Sequence, residues 1–132
     1  MPIADPRTLP DPFEITPLTG PPNTTVVLPG SKSITNRALV AAAMAEGDTV
    51  LEGVLIADDT EAMIGGLRKL GIEIRTDADR STAHVVGCGG ELPGVAATVD
   101  ARQSGTTGRF LTPIAALGAA PMVVDADPQL RD

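Results

Sequence analysis

The chain has 132 residues, 42% of them hydrophobic, which is enough to build a core and excludes a disordered polypeptide. Aromatic residues make up only 2%, with no Trp or Tyr, so burial must come from Val, Leu, Ile, Met and Ala. A formal net charge of -7 argues against a dedicated nucleic-acid binder, which needs a basic face, but leaves room for a small anion held by a few local cations.

Met1 to Asn23 carries seven prolines and reads as an extended arm over residues 1–23, with no basic-then-apolar leader. No apolar run approaches the roughly 18 residues of a membrane helix, so a cytoplasmic protein without membrane contact is expected. The single Cys88 forms no internal disulfide and reads as an inert thiol.

Thr25 to Leu28 is predicted as a short β-branched strand, ended by Pro29 and Gly30. Ser33 to Ala45 follows as a helix with Gly47 at its C-cap, and because Ala38 to Ala45 carries no charge on any face, a helix buried all round is expected. Thr49 to Val54 is the next strand. Asp58 or Asp59 is placed to cap a second helix, with Glu61 in its first turn and Met63, Ile64, Leu67 and Leu70 as its apolar stripe, ended by Gly71. Ile72 to Thr76 and Ala83 to Val86 read as strands joined by the polar turn Asp77–Arg80, and Gly87–Gly90 reads as a loop. Ala97 to Asp100 is then a strand, Gly105 to Leu117 a helix that Pro113 should bend, and Met122 to Val124 a strand before the polar stretch Asp125 to Gln129.

A displacement of about 72 residues brings Thr35 onto Thr107, Arg37 onto Arg109, Leu39 onto Leu111 and Ala43 onto Ala115. Two copies of one supersecondary unit are expected: a first repeat over about residues 24–90 and a truncated second over about 95–132. The plainer alternative is chance matching of two Ala-rich helices.

Two turns could carry chemistry. Leu28-Pro-Gly-Ser-Lys-Ser-Ile-Thr-Asn-Arg37 puts a glycine, two serines and a lysine at a helix entrance, where unpaired backbone N–H groups and the macrodipole attract anions. Lys32 supplies a point charge, and Arg37 a planar fork on the same helix face as Ser33. The alternative is that Ser33 is an ordinary N-cap and the cations are solvated. Gln103-Ser-Gly-Thr-Thr-Gly-Arg109 repeats the pattern, with Gly105 allowing close approach and the N–H groups of Gly105 and Thr106 able to point at an anion. Its alternative is a Ser/Thr capping turn. His84 stands without a partner at metal-ligand spacing, Asp58 and Asp59 resemble a cap more than an acid/base pair, and no nucleophile–base–orienter set can be assembled.

The segment Leu28 to Leu39 resembles the first signature of the 5-enolpyruvylshikimate-3-phosphate synthase family, and Gly105-Thr106 with Arg109 resembles its second. Asp58-Asp59-Thr60 and Arg68 with Leu70-Gly71 also fit, so the likeness covers roughly residues 24 to 132. The resemblance implies an α/β (α+β) fold of inverse βαβαββ repeats, one complete and one truncated here, forming part of the N-terminal domain. It implies transfer of enolpyruvyl from phosphoenolpyruvate to shikimate 3-phosphate with release of phosphate, in aromatic amino acid biosynthesis, by a monomer needing no metal or organic cofactor.

Carried over by position, Lys32 would serve catalysis and contact both substrates. Ser33 and Arg37 would hold the shikimate moiety, with Arg37 on its carboxylate. Gly105 and Thr106 would line the phosphoenolpyruvate pocket, which the herbicide glyphosate also occupies. Gln103 stands where many members have Asn, and Phe110 where many have Pro. The family continues with an Arg-Pro pair after the position of Asp132, so the chain by itself is expected to be inactive. The related UDP-N-acetylglucosamine enolpyruvyl transferases carry Gly-Ala-Lys-Asn where this chain has Gly-Ser-Lys-Ser. A non-catalytic anion-binding module is the alternative of a different class, and a nucleotide-binding kinase lacks its phosphate loop here.

Overall fold

The computed structural model describes residue 8 and residues 10–94 and 96–131. The expectations for residues 1–7, 9, 95 and 132 lie outside the described residues. Residues 10–23 hold no helix or strand and are exposed, among them Ile15 and Leu18. The strand expected over Thr25 to Leu28 is also absent: Val26, Val27 and Leu28 stand exposed with no strand paired to them among the described residues. β-branched side chains favour a pleated surface, but a strand exists only where a neighbour takes its backbone hydrogen bonds.

Helix α1 spans Lys32–Met44 and is capped by Ser31, whose Oγ accepts the Ile34 N–H at 3.4 Å. Ser33 is therefore inside the first turn and is not the cap. The helix ends at Ala45, so Gly47 is not its C-cap; with φ +83° it lies within strand β1, Glu46–Glu52. Nor is α1 buried all round. Asn36, Leu39 and Ala43 are fully buried, while Ala41 and Ile34 face outward. An uncharged alanine face can stand in water at little cost, which the sequence pattern does not distinguish from a buried one.

Helix α2, Asp58–Lys69, starts differently from the expected carboxylate cap. Ala57 holds the cap position, and Thr60 reaches back so that its Oγ1 accepts the Ala57 N–H at 2.9 Å. Its far end follows expectation: Gly71 adopts φ +94°, with Gly71 N–H donating to Arg68 O at 3.0 Å and Ile72 N–H to Leu67 O at 3.1 Å. That pair of bonds is the Schellman arrangement that terminates a helix on a left-handed glycine. Met63, Ile64, Leu67 and Leu70 are all buried, as their spacing predicts.

Strands β2, Glu73–Asp77, and β3, Thr82–Cys88, complete an antiparallel sheet of order β1-β3-β2, with Glu46 opposite Cys88 and Glu73 opposite Val86. Gly87 and Cys88 thus belong to β3, not to a loop. A methyl group at Gly87 would overlap Ala45 O and lie 2.6 Å from Ala42 O, so glycine here lets the sheet run against the end of α1. Strand β4, Ala97–Asp100, pairs in parallel with β5, Met122–Asp125, Ala97 opposite Met122.

Helix α3, Gly105–Ala115, connects β4 and β5 and accommodates Pro113 two residues before its end. The polar stretch after β5 contains a feature the sequence reading missed, the single-turn helix α4, Pro128–Arg131. Leu39, Leu67, Val85, Val99 and Leu111 bring all three longer helices and both sheets into one core. At Gly66 an added methyl would overlap Leu111 Cδ1 and lie 2.9 Å from Val99 Cγ1. This glycine brings α2 close to α3 and β4, and so sets the helix entrances side by side.

Candidate functional site

The entrances of α1, α2 and α3 meet around Asp59. Gly30 brings the chain to α1 along the backbone of Gly53–Leu55, where a methyl group would overlap Gly53 O and lie 2.8 Å from Leu55 N. Thr35 Oγ1 then accepts the Leu55 N–H at 3.0 Å, fixing α1 to the segment that leads into α2. Across this junction Lys32 Nζ donates to Asp59 Oδ2 at 3.1 Å. The third helix arrives through Thr107, whose Oγ1 lies 3.2 Å from Asp59 O and 2.8 Å from Ser104 Oγ. Ser104 caps α3 by accepting the Thr107 N–H at 3.3 Å. Both Ser104 and Thr107 are buried.

Asp59 feels this arrangement. A hydrogen bond from Ser104 holds its carboxyl below the ordinary carboxylate range, and Lys32 adds both a hydrogen bond and its charge, against an opposing effect of partial burial. Each helix N-terminus carries a partial positive charge, so three of them aimed at one place favour an anion there. The Asp59 carboxylate stands at this junction, in the first turn of α2 and bonded to Lys32.

A cleft of about 380 Å³ opens beside the junction, lined by Lys32, Asp58, Asp59, Arg102, Gln103, Ser104 and Asp127. It is not uniformly cationic: Asp58 and Asp127 share its wall with the two cations. Helix termini and backbone N–H groups, more than net charge, would have to provide the pull on an anion. Gly105 and Arg109 line a neighbouring cleft of about 420 Å³ with Asp125 and Arg131. Arg131 donates to both oxygens of Asp125, at 2.8 and 2.7 Å, and closes α4 onto β5.

The residues singled out from sequence are therefore brought together only in part. Lys32 faces the first cleft and Gly105 the second, one residue beyond the Ser104 that lines the first. Ser33 and Arg37 are exposed on α1, line neither cleft, and are joined by a 3.0 Å bond from Arg37 Nη1 to Ser33 O. The Arg37 guanidinium lies over the Phe110 ring, 5.9 Å from its centroid, and so leans toward α3. Thr106 is half-buried in the first turn of α3.

Sequence reasoning missed Asp59, treated as a cap, and Arg102. The backbone of Arg102 is left-handed, φ +51°, with its N–H on Asp100 Oδ1 at 2.8 Å and its carbonyl accepting Asp127 N–H at 2.9 Å. Neither carries a spacing signal, because Asp59 is 27 positions from the lysine it pairs with. His84 does have a neighbour, Asp48 Oδ1 at 3.8 Å, across the β1–β3 pair. Asn36, fully buried one turn after Lys32, has no hydrogen-bond partner for its amide among the described residues. No group of three or more His, Cys, Asp or Glu among the described residues is placed to hold a metal ion.

A family model described as EPSP synthase (3-phosphoshikimate 1-carboxyvinyltransferase) matches residues 18–132. The chain belongs to the EPSP synthase family. A 3-phosphoshikimate 1-carboxyvinyltransferase of Nostoc punctiforme is 41% identical over 122 residues, covering 92% of this chain and 29% of the relative. One from Yersinia pestis is 42% identical over 113 residues, covering 83% of this chain and 26% of the relative. Among solved structures, EPSP synthase from Acinetobacter baumannii superposes with a TM-score of 0.69 at 28% identity, over 80% of this chain and 24% of that one. The α/β fold expected from the resemblance is thus that of EPSP synthase, and the chain spans only 29% and 26% of the length of these two curated relatives.

Proposed function

We propose that this chain contributes to transfer of enolpyruvyl from phosphoenolpyruvate to shikimate 3-phosphate, with release of phosphate. The observation that carries this reading is the convergence of the α1 and α3 entrances on Lys32 and Asp59, in a chain of the EPSP synthase family. Both substrates are anions, and joining them requires that they be held side by side against their mutual repulsion.

In this reading Lys32 exchanges Asp59 for substrate oxygen and touches both ligands. Ser33 and Arg37 hold the shikimate moiety, Arg37 on its carboxylate. Gly105 and Thr106 present backbone N–H groups to phosphoenolpyruvate, and glyphosate competes there. Gly105 supports this, since an added methyl would meet nothing nearer than Leu130 Cδ1 at 3.8 Å. The protein itself leaves the space beside Gly105 open, so an alanine there would meet a bound ligand before it met the protein.

We also read residues 24–90 and 95–132 as two repeats of one unit, behind an N-terminal arm. What supports this is that α1 and α3 are each capped by a serine that accepts the N–H three residues on, Ser31 and Ser104, one position out of register with the displacement of about 72 residues. Thr35 and Thr107, and Leu39 and Leu111, which are in register, are buried alike. A cytoplasmic monomer, working on two small molecules without cofactor, nucleic acid or membrane, follows from the family resemblance. Among the described residues no helix is long and apolar enough to cross a membrane.

Calorimetric titration of the chain with shikimate 3-phosphate tests the reading. Binding that weakens at least tenfold in both Lys32→Ala and Arg37→Ala is expected. Equal affinity in all three proteins would remove the assigned roles.

A further inference from the structure

We propose that Phe110 is a positioning residue for Arg37, and through it a determinant of affinity for the carboxylate-bearing substrate; the proposal rests on the role given to Arg37 above. Arg37 is an exposed side chain with many rotamers, and an exposed arginine has to lose that freedom when it grips a ligand. Two contacts limit it beforehand. Its Nη1 donates to Ser33 O at 3.0 Å, and its guanidinium carbon lies 5.9 Å from the centroid of the Phe110 ring. The first contact lies within α1 and does not fix the side chain relative to any other element. The second reaches another element, and so it sets where the fork points relative to α3.

The placement of Phe110 makes it fit for this task. It lies in α3, half-buried against the core, so the ring is itself held by packing. Four positions earlier on α3 is Thr106, and four positions before Arg37 on α1 is Ser33; residues spaced by four share a helix face. The Arg37–Phe110 contact therefore joins the face of α1 that carries Ser33 to the face of α3 that carries Thr106. A cation held over a ring face is attracted by the ring quadrupole, and the N–H groups of Arg37 that do not bond Ser33 O still lie at the edge, where a carboxylate can accept them. An aliphatic residue at this position would fill the same space without that attraction.

The experiment compares wild type, Phe110→Leu, Phe110→Tyr and Arg37→Ala, all checked for unchanged thermal unfolding. Affinity for shikimate 3-phosphate is measured by calorimetry, and the Arg37 side-chain protons are followed by NMR. Phe110→Leu should weaken binding by about two- to fivefold, the range of an exposed cation–π contact, while Phe110→Tyr restores wild-type affinity. The upfield ring-current shift of the Arg37 methylene protons should be present in wild type and Phe110→Tyr and lost in Phe110→Leu. Wild-type affinity in Phe110→Leu, or Arg37 proton shifts that do not change with the ring, would overturn the proposal. Failure of the underlying reading looks different: Arg37→Ala would then bind as tightly as wild type, even with the ring-current shift in place.

Discussion

Lys32 Nζ lies 3.1 Å from Asp59 Oδ2, joining the first turn of α1 to the first turn of α2 across 27 positions of sequence. With Thr107 Oγ1 on the Asp59 main-chain carbonyl at 3.2 Å, Asp59 links the two Ser-capped turns that the sequence presents as separate.

The lowered pKa of Asp59 makes part of the stability pH-dependent. Because the folded value lies below that of the unfolded chain, the ionised carboxylate stabilises the fold above the unfolded value, and this is lost as pH falls through the lower folded one. Both partners are partly exposed, at 48% for Lys32 and 31% for Asp59, so the contribution is discounted to about 0.5–1 kcal/mol. Urea unfolding of Asp59→Asn should show that deficit at neutral pH and lose it in acid, once the carboxylate is protonated in the folded chain as well. A difference that persists undiminished in acid would exclude the ionised carboxylate as its source.

Two glycines separate structural from ligand demands. Gly30→Ala drives a methyl group into Gly53 O and to 2.8 Å from Leu55 N, which are backbone atoms unable to step aside. A loss of about 1–3 kcal/mol is expected in denaturant unfolding, the range for overpacking. Gly105→Ala meets only Leu130 Cδ1 at 3.8 Å, so its stability should stay within about 0.5 kcal/mol of wild type. Its defect should appear in phosphoenolpyruvate binding by calorimetry. Equal affinity in Gly105→Ala would show that no ligand occupies that space.

The buried pair Ser104 and Thr107 should matter more to stability than the exposed ion pair. Ser104→Ala removes the cap of α3 and leaves Thr107 N–H and Oγ1 without that partner, at a cost of about 1–2 kcal/mol. Thermal unfolding with hydrogen exchange should show the loss concentrated in the first turn of α3. Uniform exchange across the helix would argue that the cap does not hold the entrance.

Much of the fold was legible because it depends on local chemistry. The stripe from Met63 to Leu70 with Gly71 behind it specifies α2, since helical spacing and a left-handed terminator are both read from neighbouring residues. The α3 entrance at Gly105 was equally plain. Thr25 to Leu28 misled, because strand formation depends on a partner that propensity does not supply. Helix α4 was hidden among polar residues, and what ties it down is the Asp125–Arg131 pair, a contact rather than a pattern. At the site, Lys32 and Gly105 stood out through anion-binding turn chemistry. Asp59 and Arg102 did not, because what they touch is distant in sequence, and Phe110 stood out only as a departure from the family pattern, not as the neighbour of Arg37.

The most direct test is a titration of isotope-labelled chain with shikimate 3-phosphate, following backbone amides by NMR. The account predicts shifts concentrated in the first turns of α1 and α3, at Lys32, Ser33, Gly105 and Thr106, and their loss in Lys32→Ala. Shifts centred elsewhere, or unchanged in Lys32→Ala, would contradict an anion site built from these two helix entrances.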